Sequence, residues 1–154
     1  MRLAVSGSHG TGKSTLIAAF LAKRPEYLYE PEAFETLGDD VELNDDGEPT
    51  ADGLRTLLEY AVPAVESRAS EACVVFERSP VDYLAYAAAS RSAWRGSSVA
   101  EFLSAQVPIV KASLRGLDLI AYLPVSPGGL GGRPGEDRGF RRRVHRSLWR
   151  AVCP

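Results

Sequence analysis

Residues 7–14 read Gly-Ser-His-Gly-Thr-Gly-Lys-Ser and match G-x-x-x-x-G-K-[ST], a pattern whose chemistry is phosphate binding. Backbone N–H groups of such a loop surround an anion, and glycine permits a close approach that a Cβ would block. Lys13 is expected to reach the β- and γ-phosphates of a nucleotide, and the Ser14 hydroxyl to ligate Mg²⁺. No catalytic role is expected for the His9 side chain, because the backbone binds the phosphates at that position. The expected nucleotide-binding residues are Gly7, Ser8, His9, Gly10, Thr11, Gly12, Lys13, Ser14 and Thr15.

Two further groups of charged residues directly follow short apolar runs. Glu77 and Arg78 come after residues 72–76, where an acid would hold Mg²⁺ and an arginine would contact phosphate oxygens. Glu30 and Glu32 flank a proline that keeps Glu30 extended at the end of another run. We expect Glu30 to accept a proton from a substrate hydroxyl, with Glu32 as the second candidate for base or substrate ligand.

An arginine-rich segment follows the last apolar run of the chain. Residues 133–150 contain seven arginines, and Gly and Pro interrupt the first part of this stretch. This composition predicts a lid over about 127–143 that excludes water and brings a cation to the transferred phosphoryl group. Arg138 and Arg141 are the expected contacts, while a solvated basic helix start is the alternative.

The elements that must position these residues alternate along the chain. We predict strands at 2–6, about 26–30, 72–76 and 117–123, and helices at 14–23, 53–70, 80–93, 98–115 and 140–151. Alternating strands and helices indicate a parallel sheet covered on both faces, in which ligands bind beyond the carboxyl ends of the strands. The expected fold is therefore a three-layer α/β P-loop NTPase domain with a parallel sheet of four or five strands.

Composition limits the alternatives. The 154 residues suit a single domain, 1–154, and a net charge of −2 argues against a nucleic-acid-binding surface. Neither a signal segment nor an apolar run long enough to span a bilayer is visible, so a cytoplasmic protein with no membrane partner is expected. The acidic stretch 38–52 is expected to be a flexible solvated loop, because its spacing does not match a Ca²⁺-binding loop.

Together, residues 7–15, 30–32, 77–86 and 133–143 carry a family resemblance. The chain resembles small P-loop kinase-like proteins grouped with the AAA-type ATPases, including the ribosylnicotinamide kinase domain, and the thymidylate and deoxynucleoside kinase group. The resemblance implies ATP and Mg²⁺ at Lys13 and Ser14, and a proton-accepting role for Glu30. It also implies a metal and phosphate pair at Glu77 and Arg78, and a lid contact from Arg138 or Arg141.

The leading hypothesis is ATP-dependent phosphoryl transfer to a small nucleoside- or nucleotide-like acceptor. A nucleotide-dependent switch or weak ATPase that acts through a partner is the alternative, and an inactive relative is a third. The sequence distinguishes neither ATP from GTP nor one oligomeric state from another.

Overall fold

A computed structural model of the chain describes residues 1–45, 47–90, 93–94, 98–125 and 138–152. The four strands are β1 (Arg2–Ser6), β2 (Leu28–Glu30), β3 (Val74–Glu77) and β4 (Leu119–Tyr122). The six α-helices are α1 (Lys13–Lys23), α2 (Ala33–Leu37), α3 (Ala51–Ser67), α4 (Pro80–Ala89), α5 (Val99–Ser113) and α6 (Arg138–Val152). None of the helices in these described ranges is both long and apolar enough to span a membrane.

The four strands form one parallel sheet in the order β2-β3-β1-β4. The register pairs Val5 with Glu77 and Glu30 with Phe76. Because the sheet is parallel, the carboxyl ends of β1, β2 and β3 lie at one edge, where a parallel α/β fold binds its ligands. The expected α/β fold with a parallel sheet is confirmed, with four strands among the described residues.

Alternation along each strand assigns its side chains to the two faces of the sheet. Leu3, Val5 and Val75 pack with Ile17 of α1 on one face. On the other face, Ala4, Val74 and Phe76 pack with Val65 of α3, and a larger core joins α3 to α4, α5 and α6. The sheet is thus the middle of three layers. Val75 and Glu77 share the α1 face, whereas Phe76 and its register partner Glu30 share the α3 face.

The acidic stretch contains more local structure than the sequence predicts. A 3₁₀ turn spans Gly38–Asp40, an isolated bridge joins Leu43 to Pro49, and α3 begins at Ala51. The Thr50 N–H donates to the carbonyl of Glu42, and Thr50 Oγ1 accepts from the Gly53 N–H as the cap of α3. A Cβ built on Gly53 would lie 2.2 Å from the Glu42 carbonyl oxygen, so this loop runs directly against the start of α3.

The helix after the arginine-rich segment begins earlier than expected. Residues 127–137 of the predicted lid lie outside the described residues, and the remainder, from Arg138 onward, forms the first turns of α6. Phe140, Arg141, Val144 and Leu148 are its buried residues, at the i, i+3, i+4 spacing of one helix face. Because α6 packs on α4, this face brings Arg141 toward the phosphate-binding loop.

Candidate active site

The phosphate-binding loop between β1 and α1 depends on glycine at positions where a side chain would be strained. Gly12 caps α1 with φ 88° and ψ 18°, a left-handed conformation in which the Leu16 N–H still donates to its carbonyl. A Cβ on Gly7 would lie 2.7 Å from the carbonyl oxygen of Leu123. The loop is therefore compact enough to surround an anion at the N-terminus of α1.

Lys13 lies in this loop with only 5% of its surface exposed. Its Nζ donates to the Ser8 carbonyl over 3.1 Å, so the side chain folds back over the loop. Burial and the nearby charge of Arg78 lower the pKa of Lys13 to about 8. An anion in the loop would favour the protonated lysine, because it would offset both of these effects.

Ser14 and Glu77 meet because α1 covers the face of the sheet to which Glu77 points. The Ser14 hydroxyl donates to Glu77 Oε1 over 2.7 Å, and Tyr29 donates to Glu77 Oε2 over 2.8 Å. A hydroxyl and a carboxylate so close together are the hard oxygen donors that Mg²⁺ takes alongside nucleotide phosphates. Among the described residues, no group of three or more His, Cys, Asp or Glu side chains could hold a metal ion. This pair therefore fits Mg²⁺ that arrives with a nucleotide rather than a protein-only metal site.

Arg78 follows β3 with its side chain almost fully buried. Among the described residues other than glycine, Arg78 alone has a positive φ, of 76°. Its Nε donates to Glu32, and its Nη1 donates to the Gly7 carbonyl over 2.7 Å and approaches Asp82 at 3.4 Å. The pKa of Arg78 stays well above its ordinary value, because the nearby tyrosines and acids outweigh the cost of burial. Arg78 thus links the phosphate-binding loop to the acid Glu32.

Asp82 holds the turn between β3 and α4 in place and is fully buried. It accepts from the Gly7 N–H at 3.0 Å, the Ser79 N–H at 2.9 Å and the Ser79 hydroxyl at 3.1 Å. Ser79 and Asp82 form a capping box at the start of α4. The early helical position of Asp82 suggests only a favourable charge at a helix start, so sequence reasoning missed its bond to the loop. The Ser-x-x-Asp spacing is the signal that could have found the capping box.

The two expected lid contacts differ in their surroundings. Arg138 is exposed at the first residue of α6. Arg141 is 8% exposed, and its Nη2 donates to the Gly10 carbonyl over 3.0 Å. Its Nε is buried with no hydrogen-bond partner in the part of the chain that the structure describes. A buried donor without a partner is costly, so a negatively charged ligand beside the loop would complete the site.

A cavity of about 660 Å³ lies at the carboxyl edge of the sheet, and Arg141 contacts its loop residue Gly10 without lining it. Its lining combines polar and charged residues of the loop and of the strand ends with three aromatic side chains and two residues of the acidic stretch. The lining residues are His9, Gly10, Gly12, Lys13, Ser14, Thr15, Glu32, Phe34, Gly47, Pro49, Glu77, Arg78, Tyr86 and Phe140. The volume suits a nucleotide or another small molecule.

Glu30 is directed elsewhere, contrary to the expectation that its carboxylate meets a substrate near the loop. It accepts from Tyr60 at 3.0 Å and forms an ion pair with Arg68 at 2.9 Å, both on the α3 side of the sheet. The reason is where the strand ends: Glu30 is the last residue of β2 and shares the face of Phe76, whereas Glu32 lies beyond the strand, precedes α2 and lines the cavity. The structure therefore brings together Lys13, Ser14, Glu77, Arg78 and Arg141, with Glu32 in place of Glu30.

Burial and charge act on Glu32 in opposite directions. Burial raises its pKa, but the charge and hydrogen bond of Arg78 outweigh that effect, so the pKa of Glu32 is lowered overall. The carboxylate is consequently ionised near neutral pH and can accept a proton.

Solved structures of other proteins share this fold, and three of them align with the chain as follows. Deoxyadenosine kinase from M. mycoides with bound dATP aligns with a TM-score of 0.69 at 17% identity, over 99% of this chain and 85% of that one. The same enzyme with products dCMP and a flexible dCDP gives 0.65 at 15%, over 98% and 84%. NadR in complex with NR gives 0.68 at 20%, over 98% of this chain and 40% of that one. At these identities the likeness shows the fold alone.

No curated protein matches the chain. A family model described as "AAA domain" does match, over residues 2–106. That span includes the phosphate-binding loop, both candidate bases and the Glu77–Arg78 pair, and it covers more than half of the chain. The family expected from the motifs is therefore confirmed, and this protein belongs to the AAA domain family.

Proposed function

We propose that this protein is a kinase that transfers the γ-phosphate of ATP to a hydroxyl group of a small nucleoside-like molecule. The observation that carries the proposal is the single cavity shared by a phosphate-binding loop and the Glu32–Arg78 pair. A site that only binds nucleotide needs the loop, whereas a carboxylate beside it is what a hydroxyl acceptor requires. The nucleotides bound to the similar deoxyadenosine kinase, dATP, dCMP and dCDP, support the same class of substrate.

The nucleotide phosphates would be bound by the loop backbone and by Lys13. Ser14 and Glu77 would hold Mg²⁺, which would neutralise negative charge on the nucleotide phosphates. Arg141 donates from Nη2 to the Gly10 carbonyl of the loop, and its buried Nε has no partner among the described residues, so it would contact the transferred phosphoryl group. Thr15 lines the cavity at the first turn of α1, next to the expected phosphate position.

Glu32 would act as the base for the acceptor. Its carboxylate takes the proton of the acceptor hydroxyl while that oxygen bonds to the γ-phosphorus. The bond from the γ-phosphorus to the β–γ bridging oxygen breaks, and ADP leaves with the electron pair. Arg78 keeps Glu32 ionised and oriented, because its Nε donates to that carboxylate. The aromatic residues Phe34, Tyr86 and Phe140 would exclude water around the acceptor.

The test is ADP release by the purified protein with Mg-ATP and a panel of acceptors. The panel contains nucleosides, nucleoside monophosphates, ribosylnicotinamide and a control without acceptor, and a folded Lys13→Ala variant gives the background. Release that depends on an acceptor, with a phosphorylated product in the ³¹P NMR spectrum, would establish the kinase. Release equal to the control without acceptor would contradict the kinase and favour an ATPase or nucleotide switch.

A further inference from the structure

His9 connects the phosphate-binding loop to two residues outside it. Its Nε2 lies 2.8 Å from the Tyr86 hydroxyl on α4, and its Nδ1 lies 3.4 Å from Nη2 of Arg78. The imidazole also packs edge-to-face on the Tyr86 ring, with ring centroids 5.1 Å apart. Both nitrogens of the ring therefore face defined partners.

These partners fix the protonation of the ring. A guanidinium has donors and no acceptor, so Nδ1 must present its lone pair to Arg78. The single ring proton then belongs on Nε2, which donates to the Tyr86 oxygen. Burial raises the pKa of Tyr86, which leaves that oxygen a neutral hydroxyl able to accept. A doubly protonated ring would direct an N–H at a guanidinium, which is unfavourable in both charge and hydrogen bonding.

Arg78 is the group that this arrangement orients. Its Nε and Nη1 donate to Glu32 and to the Gly7 carbonyl, and Nη2 is the end that faces His9. The guanidinium carbon also lies 5.2 Å from the centroid of the Tyr86 ring. Because the backbone of Arg78 is left-handed, packing and hydrogen bonds of the side chain must help to hold it.

We propose that His9, as the neutral Nε2–H tautomer, is a positioning residue that aligns Arg78, and through it Glu32, with the nucleotide-binding loop. His9 thereby joins the conformation of the loop to that of the base across the cavity. Its effect on catalysis rests on the proposed kinase function, whereas its tautomer and its contact with Arg78 do not.

The first test reads the tautomer directly. The chain has two histidines, so a ¹⁵N spectrum of the imidazole rings is simple, and a His145→Gln variant assigns the signal of His9. At neutral pH we expect His9 with a protonated Nε2 and an unprotonated Nδ1, and we expect the Arg78 Nε–H signal to move in His9→Leu. A His9 ring that is doubly protonated, or protonated on Nδ1, would overturn the inference whether or not the protein is a kinase.

The second test separates positioning from nucleotide binding. Asn offers a carbonyl oxygen near the position of Nδ1 and can still accept from Arg78, whereas Leu cannot. We expect His9→Leu to lower kcat about tenfold or more with the KM for ATP changed less than about threefold, and His9→Asn to recover most of kcat. Equal losses in both variants, or a change in the KM for ATP alone, would overturn the proposal. If His9→Leu does not fold, the tautomer of the wild-type chain and the kinetics of His9→Asn decide.

Absence of turnover in the wild-type protein with every acceptor would instead contradict the proposed function. The ring tautomer and the Arg78 signal would still report on His9 in that case, so the two failures are distinguishable.

Discussion

The Ser14 hydroxyl donates a 2.7 Å hydrogen bond to Oε1 of Glu77, which joins the first turn of α1 to the last residue of β3. The pair provides a charged and a neutral oxygen at the position where the chain would receive a nucleotide-bound cation. We therefore expect Glu77→Gln, which keeps the acceptor for Ser14 and removes the charge, to require about tenfold more Mg²⁺ for half-maximal rate and to lower kcat about 100-fold. A Mg²⁺ titration of ADP release measures both quantities. Glu35→Gln is the control, since it neutralises an exposed acid on α2, and equal behaviour of the two variants would contradict a metal-binding Glu77.

The lowered pKa of Lys13, about 8, makes nucleotide binding sensitive to alkaline pH. The charged lysine is the form that binds phosphate, so the affinity for Mg-ATP is expected to fall as the pH rises above about 8. Titration calorimetry between pH 7 and 10 measures this fall, and Lys13→Arg, which stays charged throughout, should remove it.

Folding stability should change in the opposite direction over the same pH range. The unfolded chain holds the lysine proton up to its ordinary pKa of 10.5, whereas the folded chain releases it near 8. The free energy of unfolding of the free protein is therefore expected to rise between these values, by at most about 3 kcal/mol, because the unfolded state binds more protons. Denaturant unfolding at pH 7.5 and pH 10 tests this. If the free energy of unfolding rose equally in a Lys13→Met variant, the effect would come from other titratable groups.

Glu32 and Glu30 should respond differently to the loss of charge. Glu32→Gln is expected to lower kcat about 100-fold or more, because the acceptor hydroxyl loses its base. Glu30→Gln is expected to leave kcat within about threefold and to lower the thermal unfolding midpoint, since its partner Arg68 loses an ion pair in a half-buried site. Steady-state kinetics and calorimetry on both variants separate the two roles. If kcat fell more in Glu30→Gln than in Glu32→Gln, the base would be Glu30, the residue that the sequence favours.

Arg141 and its exposed neighbour Arg142 offer a matched pair on one helix. Arg141→Ala removes a donor directed at the loop and should lower kcat about 100-fold, because positive charge beside the transferred phosphoryl group stabilises the transition state. Arg142→Ala removes an exposed charge and should leave the rate within about twofold. Arg138→Ala tests the other lid arginine that the sequence predicts. If kcat fell in Arg138→Ala and not in Arg141→Ala, Arg138 would be the arginine that contacts the transferred phosphoryl group.

Asp82 should matter most for stability. Replacing it with Ala leaves the N–H groups of Gly7 and Ser79 without their buried acceptor and removes an acid beside Arg78. We expect a loss of about 3 kcal/mol or more in the free energy of unfolding, measured with denaturant. Asp52→Ala, at an exposed helix start, is the comparison, and losses of similar size would indicate that the buried bonds of Asp82 add little.

The sequence predicts the elements that carry strong local signals. The glycine loop, its flanking strand and helix, and the charged residues after each strand all follow from motif and apolar pattern. Glu30 and Glu32 show the limit of this reasoning, because alternation alone would place both acids on one face. The register of β2 on β3 places Glu30 on the α3 face, and Glu32 lies beyond the end of the strand. That register pairs Glu30 with Phe76 and is a property of two strands more than 40 residues apart in the chain. Local spacing does not contain it.

The sequence also does not predict contacts between segments that are distant along the chain. Tyr29 meets Glu77 because β2 lies beside β3 in the sheet, and His9 meets Tyr86 because α4 lies beside the phosphate-binding loop. Helix α2 was missed since it spans only Ala33–Leu37 and directly follows the Glu-Pro-Glu segment. The apolar residues of so short an element give too few turns for a periodic signal.

The close approach of Gly53 to the Glu42 carbonyl gives position 53 an influence on the shape of the cavity. A methyl group there would push residue 42 away from α3, and the segment that follows it carries Gly47 and Pro49 to the cavity wall. The position of this part of the cavity wall is thus linked to a glycine on a helix that contributes no residue to the cavity lining. In a related chain with a larger residue at this position, we expect the wall to lie farther out and to admit a bulkier acceptor.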